Sequence, residues 1–105
     1  MKAAIYARTA TADKSTDAQI AACRAIAESN GYHVSQIFSE TGQSGANVER
    51  HGLASLLREA QEHAFDAVIV TDLDRLSRDA SDTGYIFGRL QSNGVRIFDQ
   101  NGEVT

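Results

Sequence analysis

Short apolar runs alternate along the chain with stretches in which apolar residues recur every three or four positions. The recurring stretches predict three helices, near residues 16–30, 50–63 and 80–93. The runs between them, rich in apolar, β-branched or aromatic residues, predict four strands at residues 3–7, 33–38, 67–70 and 95–98. The predicted order of elements is therefore β-α-β-α-β-α-β.

Turn and capping residues mark the ends of these helices. The sequence Thr16-Asp-Ala-Gln19 has the form of a capping box at the start of the first helix. The pairs Asn30-Gly31 and Asn93-Gly94 predict left-handed caps at the ends of the first and third helices.

The regular alternation with short connections predicts an α/β fold. We expect a three-layer, doubly wound, mostly parallel β-sheet with helices on both faces and the first strand at its centre. The whole chain, residues 1–105, is expected to form one domain. Ligand and catalytic groups in such sheets gather beyond the carboxyl ends of the strands, so the segments after the first three strands are the ones to inspect.

Composition changes this picture little. A hydrophobic content of 42% with 23% charged residues is typical of a globular protein and argues against disorder. The apolar runs are far shorter than the ~20 residues of a membrane span, and no targeting signal is evident. With a single cysteine, the chain is expected to be cytoplasmic, disulfide-free and not membrane-bound.

Cysteine and histidine do not form a recognisable metal-binding pattern. Cys23 falls on the apolar stripe of the first predicted helix, where a free cysteine packs as a small hydrophobe. His33, His51 and His63 share no metal-ligand spacing. We therefore expect no metal site.

Arginines follow the first three strands. Arg75 and Arg78 are three residues apart, which places their side chains on one side of a helical turn. Any one arginine on its own is explained by pairing with surface Asp or Glu, but four at strand ends favour an anion site. Converging guanidinium groups would stabilise the extra negative charge of a phosphoryl-transfer transition state. The four are Arg8, Arg50, Arg75 and Arg78.

Three motifs carry a family resemblance over the whole chain. The first is Tyr6-Ala-Arg8 at the end of the first strand, with Gln19 opening the next helix. The second, Asp74-Arg-Leu-Ser-Arg78, follows an apolar strand, and Ser44-Gly45 before Glu49-Arg50 is the third. In order and spacing they resemble the N-terminal catalytic domain of the serine recombinases, the resolvase/invertase family.

The resemblance implies site-specific DNA recombination through a phosphoserine link to the 5′ end and a free 3′ hydroxyl. Members use neither metal nor nucleotide cofactor. Asp74 would be the acid for the leaving oxygen, and Gln19 would orient the site, although its capping-box position explains it equally well. Tyr6 is either a site residue or a strand-end aromatic. The residues implied to bind the scissile phosphate are Arg8, Arg50, Arg75 and Arg78.

The chain departs from the family at the nucleophile. The family serine stands two residues after Arg8, where this chain has Ala10. A methyl group cannot attack phosphorus, so the chain is expected to be inactive unless a neighbour substitutes. Thr11 is the better candidate because it lies further into the loop than Thr9. Lys14 also stands near a position where the family often has glutamine.

The second departure is length. Family members continue into a long dimerisation helix and usually a DNA-binding domain, and this chain stops at Thr105 before either. The resemblance implies DNA and a homodimer or tetramer as partners of a full-length parent, with the fragment monomeric or weakly associated. The net charge of −4 agrees with weak DNA binding by the fragment.

Two other functions remain open. The first is a non-catalytic relative that keeps the fold and the arginines as an interaction or assembly module. The second is an unrelated flavodoxin-like module that binds a small molecule. A phosphate-binding module of that kind usually has a glycine-rich loop after the first strand, and residues 9–12 contain no glycine.

Overall fold

A computed structural model describes residues 1–9, 15–40, 51–76 and 80–104. Among these residues, none of the helices is both long and apolar enough to span a lipid bilayer. A 3₁₀ turn at Leu73–Arg75 follows the third strand. The strands are β1 (Lys2–Arg8), β2 (His33–Glu40), β3 (Ala67–Ile69), β4 (Arg96–Asp99) and β5 (Gly102–Val104), and the helices are α1 (Asp17–Ser29), α2 (His51–Gln61) and α3 (Ala80–Ser92).

The five strands form one sheet in the order β2-β1-β3-β4-β5. The first four are parallel, and β5 runs antiparallel to β4. The mostly parallel α/β fold is therefore confirmed. The prediction that the first strand lies at the centre is wrong in detail, because the unpredicted β5 extends the sheet and leaves β3 in the middle. β1 is nevertheless interior, between β2 and β3.

Alternate residues of β1 separate the core into two layers. Ala3 and Ile5 lie in a cluster with Cys23 and Ala27 of α1. Ala4 and Tyr6 face the opposite layer, whose helical residues come from α2 and α3. All of these side chains are fully buried. The three-layer arrangement follows from the two-residue period of the strand, which directs neighbouring side chains to opposite faces.

Cys23 packs in the core, as its position on the apolar stripe predicts. Burial raises the pKa of its thiol to about 11, with a smaller contribution from the nearby negative charge of Asp72. The thiolate is the reactive form of cysteine, so Cys23 is chemically inert at neutral pH.

All three helices end in the same hydrogen-bond pattern. The amides of Tyr32, Ala64 and Val95 each donate to a carbonyl five residues earlier, at 2.9–3.0 Å. This geometry is the Schellman motif, which needs a left-handed residue just before the donor. Gly31 and Gly94 supply it with φ of 79° and 75°, as predicted, and His63 supplies it at the end of α2 with φ of 59°.

His63 is the strained member of this set. A side chain in the left-handed region costs about 1 kcal/mol relative to glycine. We therefore expect His63→Gly to raise the melting temperature by roughly 4 °C or more, measured by circular dichroism. His63→Ala is the matched control: it removes the imidazole but keeps the Cβ, and it should give no such gain. Equal stabilisation by both variants would show that the imidazole, not the backbone, carries the cost.

Candidate active site

The last residue of β1 is an arginine with a buried side chain. The Arg8 side chain is fully buried. Its Nε donates to the carbonyl of Arg75 at 3.1 Å, and its Nη2 donates to the carbonyl of Asp74 at 2.6 Å. The side chain thus connects the carboxyl end of β1 to the 3₁₀ turn after β3. Two of the predicted motifs, 67 residues apart in sequence, meet through these bonds.

Gln19 holds the backbone of the same residue. Its Oε1 accepts from the Arg8 amide at 3.0 Å, and its Nε2 donates to the Arg8 carbonyl at 2.8 Å. The side-chain amide therefore satisfies both backbone groups at the end of β1 and ties the first turn of α1 to that strand.

The capping-box prediction for Thr16 and Gln19 is wrong. Thr16 makes no side-chain capping bond. The side chain of Gln19 is committed to the peptide groups of Arg8, which offer a donor and an acceptor at once. The first turn of α1 instead uses Ser15, whose Oγ accepts from the Asp17 amide at 3.0 Å.

Arg75 and Arg8 donate hydrogen bonds to each other's backbone carbonyls. The Nη1 of Arg75 donates to the Arg8 carbonyl at 3.1 Å. Its Nε lies 3.5 Å from the Asp72 carboxylate, and this buried nitrogen makes no hydrogen bond within the part of the chain that the structure describes. The side chain as a whole is 30% exposed. Arg75 therefore presents positive charge at the surface beside the buried Arg8.

Asp74 and Tyr6 differ sharply in exposure. Asp74 is exposed, and its backbone carbonyl, not its carboxylate, is the group that Arg8 contacts. Tyr6 is fully buried, and its hydroxyl donates to Oε2 of Glu40 at 2.6 Å. Glu40 ends β2 and was not among the predicted site residues. A carboxylate that ends a strand just before a glycine-rich loop is the sequence signal that could have indicated it.

The structure brings together five of the predicted site residues at the carboxyl edge of β1 and β3. Arg8, Gln19 and Arg75 are in direct contact, Asp74 contributes its carbonyl, and Tyr6 lies two residues before Arg8 on the same strand. Their roles toward a phosphate stay predictions. The other predicted residues, Ala10, Thr11, Arg50 and Arg78, lie outside the described residues, as does Lys14.

The chemistry available at this edge is that of positive charge and hydrogen-bond donors. Arg8 and Arg75 bring two permanently charged side chains to this edge, and each donates a hydrogen bond to the backbone carbonyl of the other. Within the described ranges, no group of three His, Cys, Asp or Glu side chains is arranged to hold a metal ion. The arrangement suits stabilisation of a negatively charged phosphoryl group by preorganised donors.

Sequence comparison places this geometry in a known family. Residues 3–105 match the family model described as the resolvase N-terminal domain. A resolvase/recombinase of Pseudomonas putida is 36% identical over 92 residues, which cover 88% of this chain and 47% of that protein. The transposon Tn3 resolvase of Escherichia coli is 34% identical, with 88% and 46% covered. The chain spans about half the length of these curated relatives.

Solved structures agree with the sequence relatives. The N-terminal catalytic domain of TP901-1 integrase superposes with a TM-score of 0.90 at 36% identity, covering 96% of this chain and 79% of that one. The C-terminal catalytic domain of ISC1926 TnpA, an IS607-like serine recombinase, gives a TM-score of 0.87 at 31% identity, with 94% and 69% covered. The motifs, the fold and these matches together show that the chain belongs to the resolvase family of serine recombinases.

Proposed function

We propose that the chain is the catalytic domain of a site-specific DNA recombinase in which Ala10 occupies the position of the nucleophile. The observation that carries the proposal is the mutual contact of Arg8 and Arg75 at the carboxyl ends of β1 and β3. The proposal implies DNA as the substrate, a homodimer or tetramer of the full-length protein as the acting species, and a cytoplasmic location.

The proposed reaction is transfer of a DNA phosphoryl group to a protein hydroxyl. A serine oxygen at position 10 would form a bond to phosphorus while the bond from phosphorus to the 3′ oxygen breaks. The proton lost by the hydroxyl is balanced by one delivered to the 3′ oxygen, for which the exposed Asp74 is the candidate acid. Arg8 and Arg75, with the predicted Arg50 and Arg78, would stabilise the charge that develops on the phosphoryl oxygens.

Ala10 supports a second candidate function. A chain that keeps the family fold but lacks a nucleophilic side chain at this position could act as a non-catalytic assembly module of a recombination complex. In that case the Arg8 and Gln19 contacts would serve the fold alone. Family membership removes the flavodoxin-like alternative, since the motif matches are not accidental.

Restoring the nucleophile separates these two functions. We expect the full-length product of the gene, with Ala10 unchanged, to form no covalent adduct with labelled DNA that carries its recombination site. Ala10→Ser should create an adduct, seen as a shifted band on a denaturing gel, because the arginines supply the electrostatic part of the site. Ala12→Ser is the matched control and should form none.

Two other results would change the account. An adduct formed without any substitution, and abolished by Thr11→Ala, would make Thr11 the nucleophile. We would expect it to react more slowly than serine, because its β-branch restricts χ1. If Ala10→Ser formed no adduct although Arg75 and Arg78 were shown to contact the phosphate, the assembly module would be the better function.

The 105-residue chain is expected to bind DNA weakly. Its net charge is −4, and tight duplex binding needs cations clustered over an extended footprint. Fluorescence anisotropy with a labelled duplex should therefore show weak binding that salt abolishes, and sedimentation should show a monomer or a weak association. Tight duplex binding that persists at high salt would contradict this expectation.

A further inference from the structure

Asparagine is followed directly by glycine at three places in the chain. Glycine has no side chain to shield its backbone nitrogen, so this nitrogen can approach the side-chain amide carbon of the preceding asparagine. Attack on that carbon expels ammonia and closes a five-membered succinimide ring. The surroundings of each pair decide whether the reaction can occur in the folded chain. The three pairs are Asn30-Gly31, Asn93-Gly94 and Asn101-Gly102.

Two of these asparagines are held at helix ends. Asn30 follows α1 and Asn93 follows α3, and each donates from its side-chain Nδ2 to the carbonyl four residues earlier at 2.8 Å. The amides of Gly31 and Gly94 are also bonded, at 3.1 and 3.0 Å, to carbonyls three residues earlier. Ring closure at either pair would therefore have to break a bond of the side-chain amide and a bond of the attacking nitrogen.

Asn101 differs from both in its surroundings. It is exposed and lies in the two-residue turn between β4 and β5. Its backbone amide donates to Oδ1 of Asp99 at 2.8 Å, but its side-chain amide has no hydrogen-bond partner among the residues that the structure describes. The side chain can therefore turn toward the nitrogen of Gly102 without breaking a bond of its own.

The turn also has space in which the ring can form. An open cavity of about 360 Å³ lies between residues 99–102 and the C-terminal half of α1. Gly102 has a φ of 112°, and a Cβ built on it would meet no atom within 4 Å. The turn is therefore not packed tightly against the rest of the fold.

We propose that Asn101 is a site of spontaneous deamidation in the folded chain. The nitrogen of Gly102 forms a bond to Cγ of Asn101, the bond from Cγ to Nδ2 breaks, and the proton lost by the nitrogen leaves with the ammonia. Water then opens the succinimide at one of its two carbonyls, which gives aspartate or isoaspartate. The inference does not depend on the proposed recombinase function.

The modification changes the hairpin that carries it. Either product adds one negative charge midway between Asp99 and Glu103. The isoaspartyl product also adds a backbone carbon to the turn that pairs Asp99 with Gly102. The described part of β5 is held to β4 by three residue pairs and by the side-chain bonds from Arg96 to Glu103. We therefore expect the isoaspartyl product to loosen β5.

Ageing of the purified chain tests the site. The chain is incubated in mildly alkaline buffer, where the attacking nitrogen loses its proton more readily. A short digestion with trypsin, which cleaves after arginine, then places the three pairs on separate peptides, and mass spectrometry measures the fraction of each asparagine that has become an acid. We expect Asn101 to convert roughly tenfold faster than Asn30 or Asn93, because two hydrogen bonds must open first at the helix ends. Equal rates at Asn101 and Asn93 would overturn the proposal.

The same experiment in guanidinium chloride separates the effect of the turn from that of the sequence. Denaturation removes the helix ends, so the three rates should then agree within about threefold. A denatured chain that still converted Asn101 tenfold faster would place the cause in the neighbouring residues and overturn the role of the turn.

Substitution identifies the reacting residue. Asn101→Gln keeps an amide but requires a larger ring, so it should remove the conversion from its peptide, which also contains Gln100. Asn93→Gln is the matched control and should leave the rate at Asn101 unchanged. Conversion that persisted in Asn101→Gln would show that another residue reacts, and would overturn the assignment.

Hydrogen exchange tests the effect on the hairpin. The aspartyl and isoaspartyl chains have equal mass and are separated by chromatography, with Asn101→Asp as the standard for the first. The amides of β5 should lose protection in the isoaspartyl chain and keep it in Asn101→Asp. Protection retained in the isoaspartyl chain would overturn the expected loosening of β5.

Discussion

The site depends on one buried guanidinium group. A fully buried charge is costly unless its donors are matched, and Arg8 meets this need with the carbonyls of Asp74 and Arg75. These carbonyls are available only if the 3₁₀ turn after β3 lies directly beside the end of β1. The requirement therefore fixes two distant segments against each other before any ligand is present. Gln19 adds a third, because it holds the backbone of the same arginine from α1.

The contacts that hold the arginines in place are independent of the nucleophile. The contacts among Arg8, Gln19 and Arg75 involve backbone carbonyls, one backbone amide and their own side chains, and none of them requires a hydroxyl at position 10. A chain with Ala10 can therefore keep the positively charged frame of the family. The same arginine contacts are compatible with a catalytic site that a serine at position 10 would complete, and with an assembly module that lacks the nucleophile. Net acidity does not argue against either function, because phosphate responds to the local cluster of arginines and not to the overall charge.

Local patterns in the sequence predict most of the fold, because the helices show a helical period and the first four strands coincide with runs of apolar, β-branched or aromatic residues. β5 escapes prediction because its sequence, Gly-Glu-Val, is not such a run, and its pairing is decided by β4. His63 is missed for a similar reason, since few residues other than glycine take the left-handed conformation that the end of α2 imposes. The limit in both cases is that tertiary contacts, and not local preference, select the conformation.

The site is predictable to the extent that motifs place it at strand ends. Arg8 and Arg75 follow from that rule, but the burial of Arg8 does not, because sequence does not reveal that its partners are carbonyls from 67 residues away. Gln19 is misassigned for the opposite reason: a local capping pattern is present, and a long-range contact with β1 prevails over it. Glu40 has no motif of its own and becomes recognisable only once Tyr6 and Gly52 are seen on either side of it.

The most direct test of this account is the thermal stability of Arg8→Lys. Lysine keeps the positive charge but replaces the planar fork with a single ammonium group, which cannot reproduce the two bonds to the carbonyls of Asp74 and Arg75. We predict a melting temperature lower by roughly 10 °C or more, from the loss of two hydrogen bonds to a charged donor. Arg24→Lys, at an exposed position of α1, should change it by about 2 °C or less. An Arg8→Lys chain as stable as that control would contradict the claim that the buried guanidinium holds the site together.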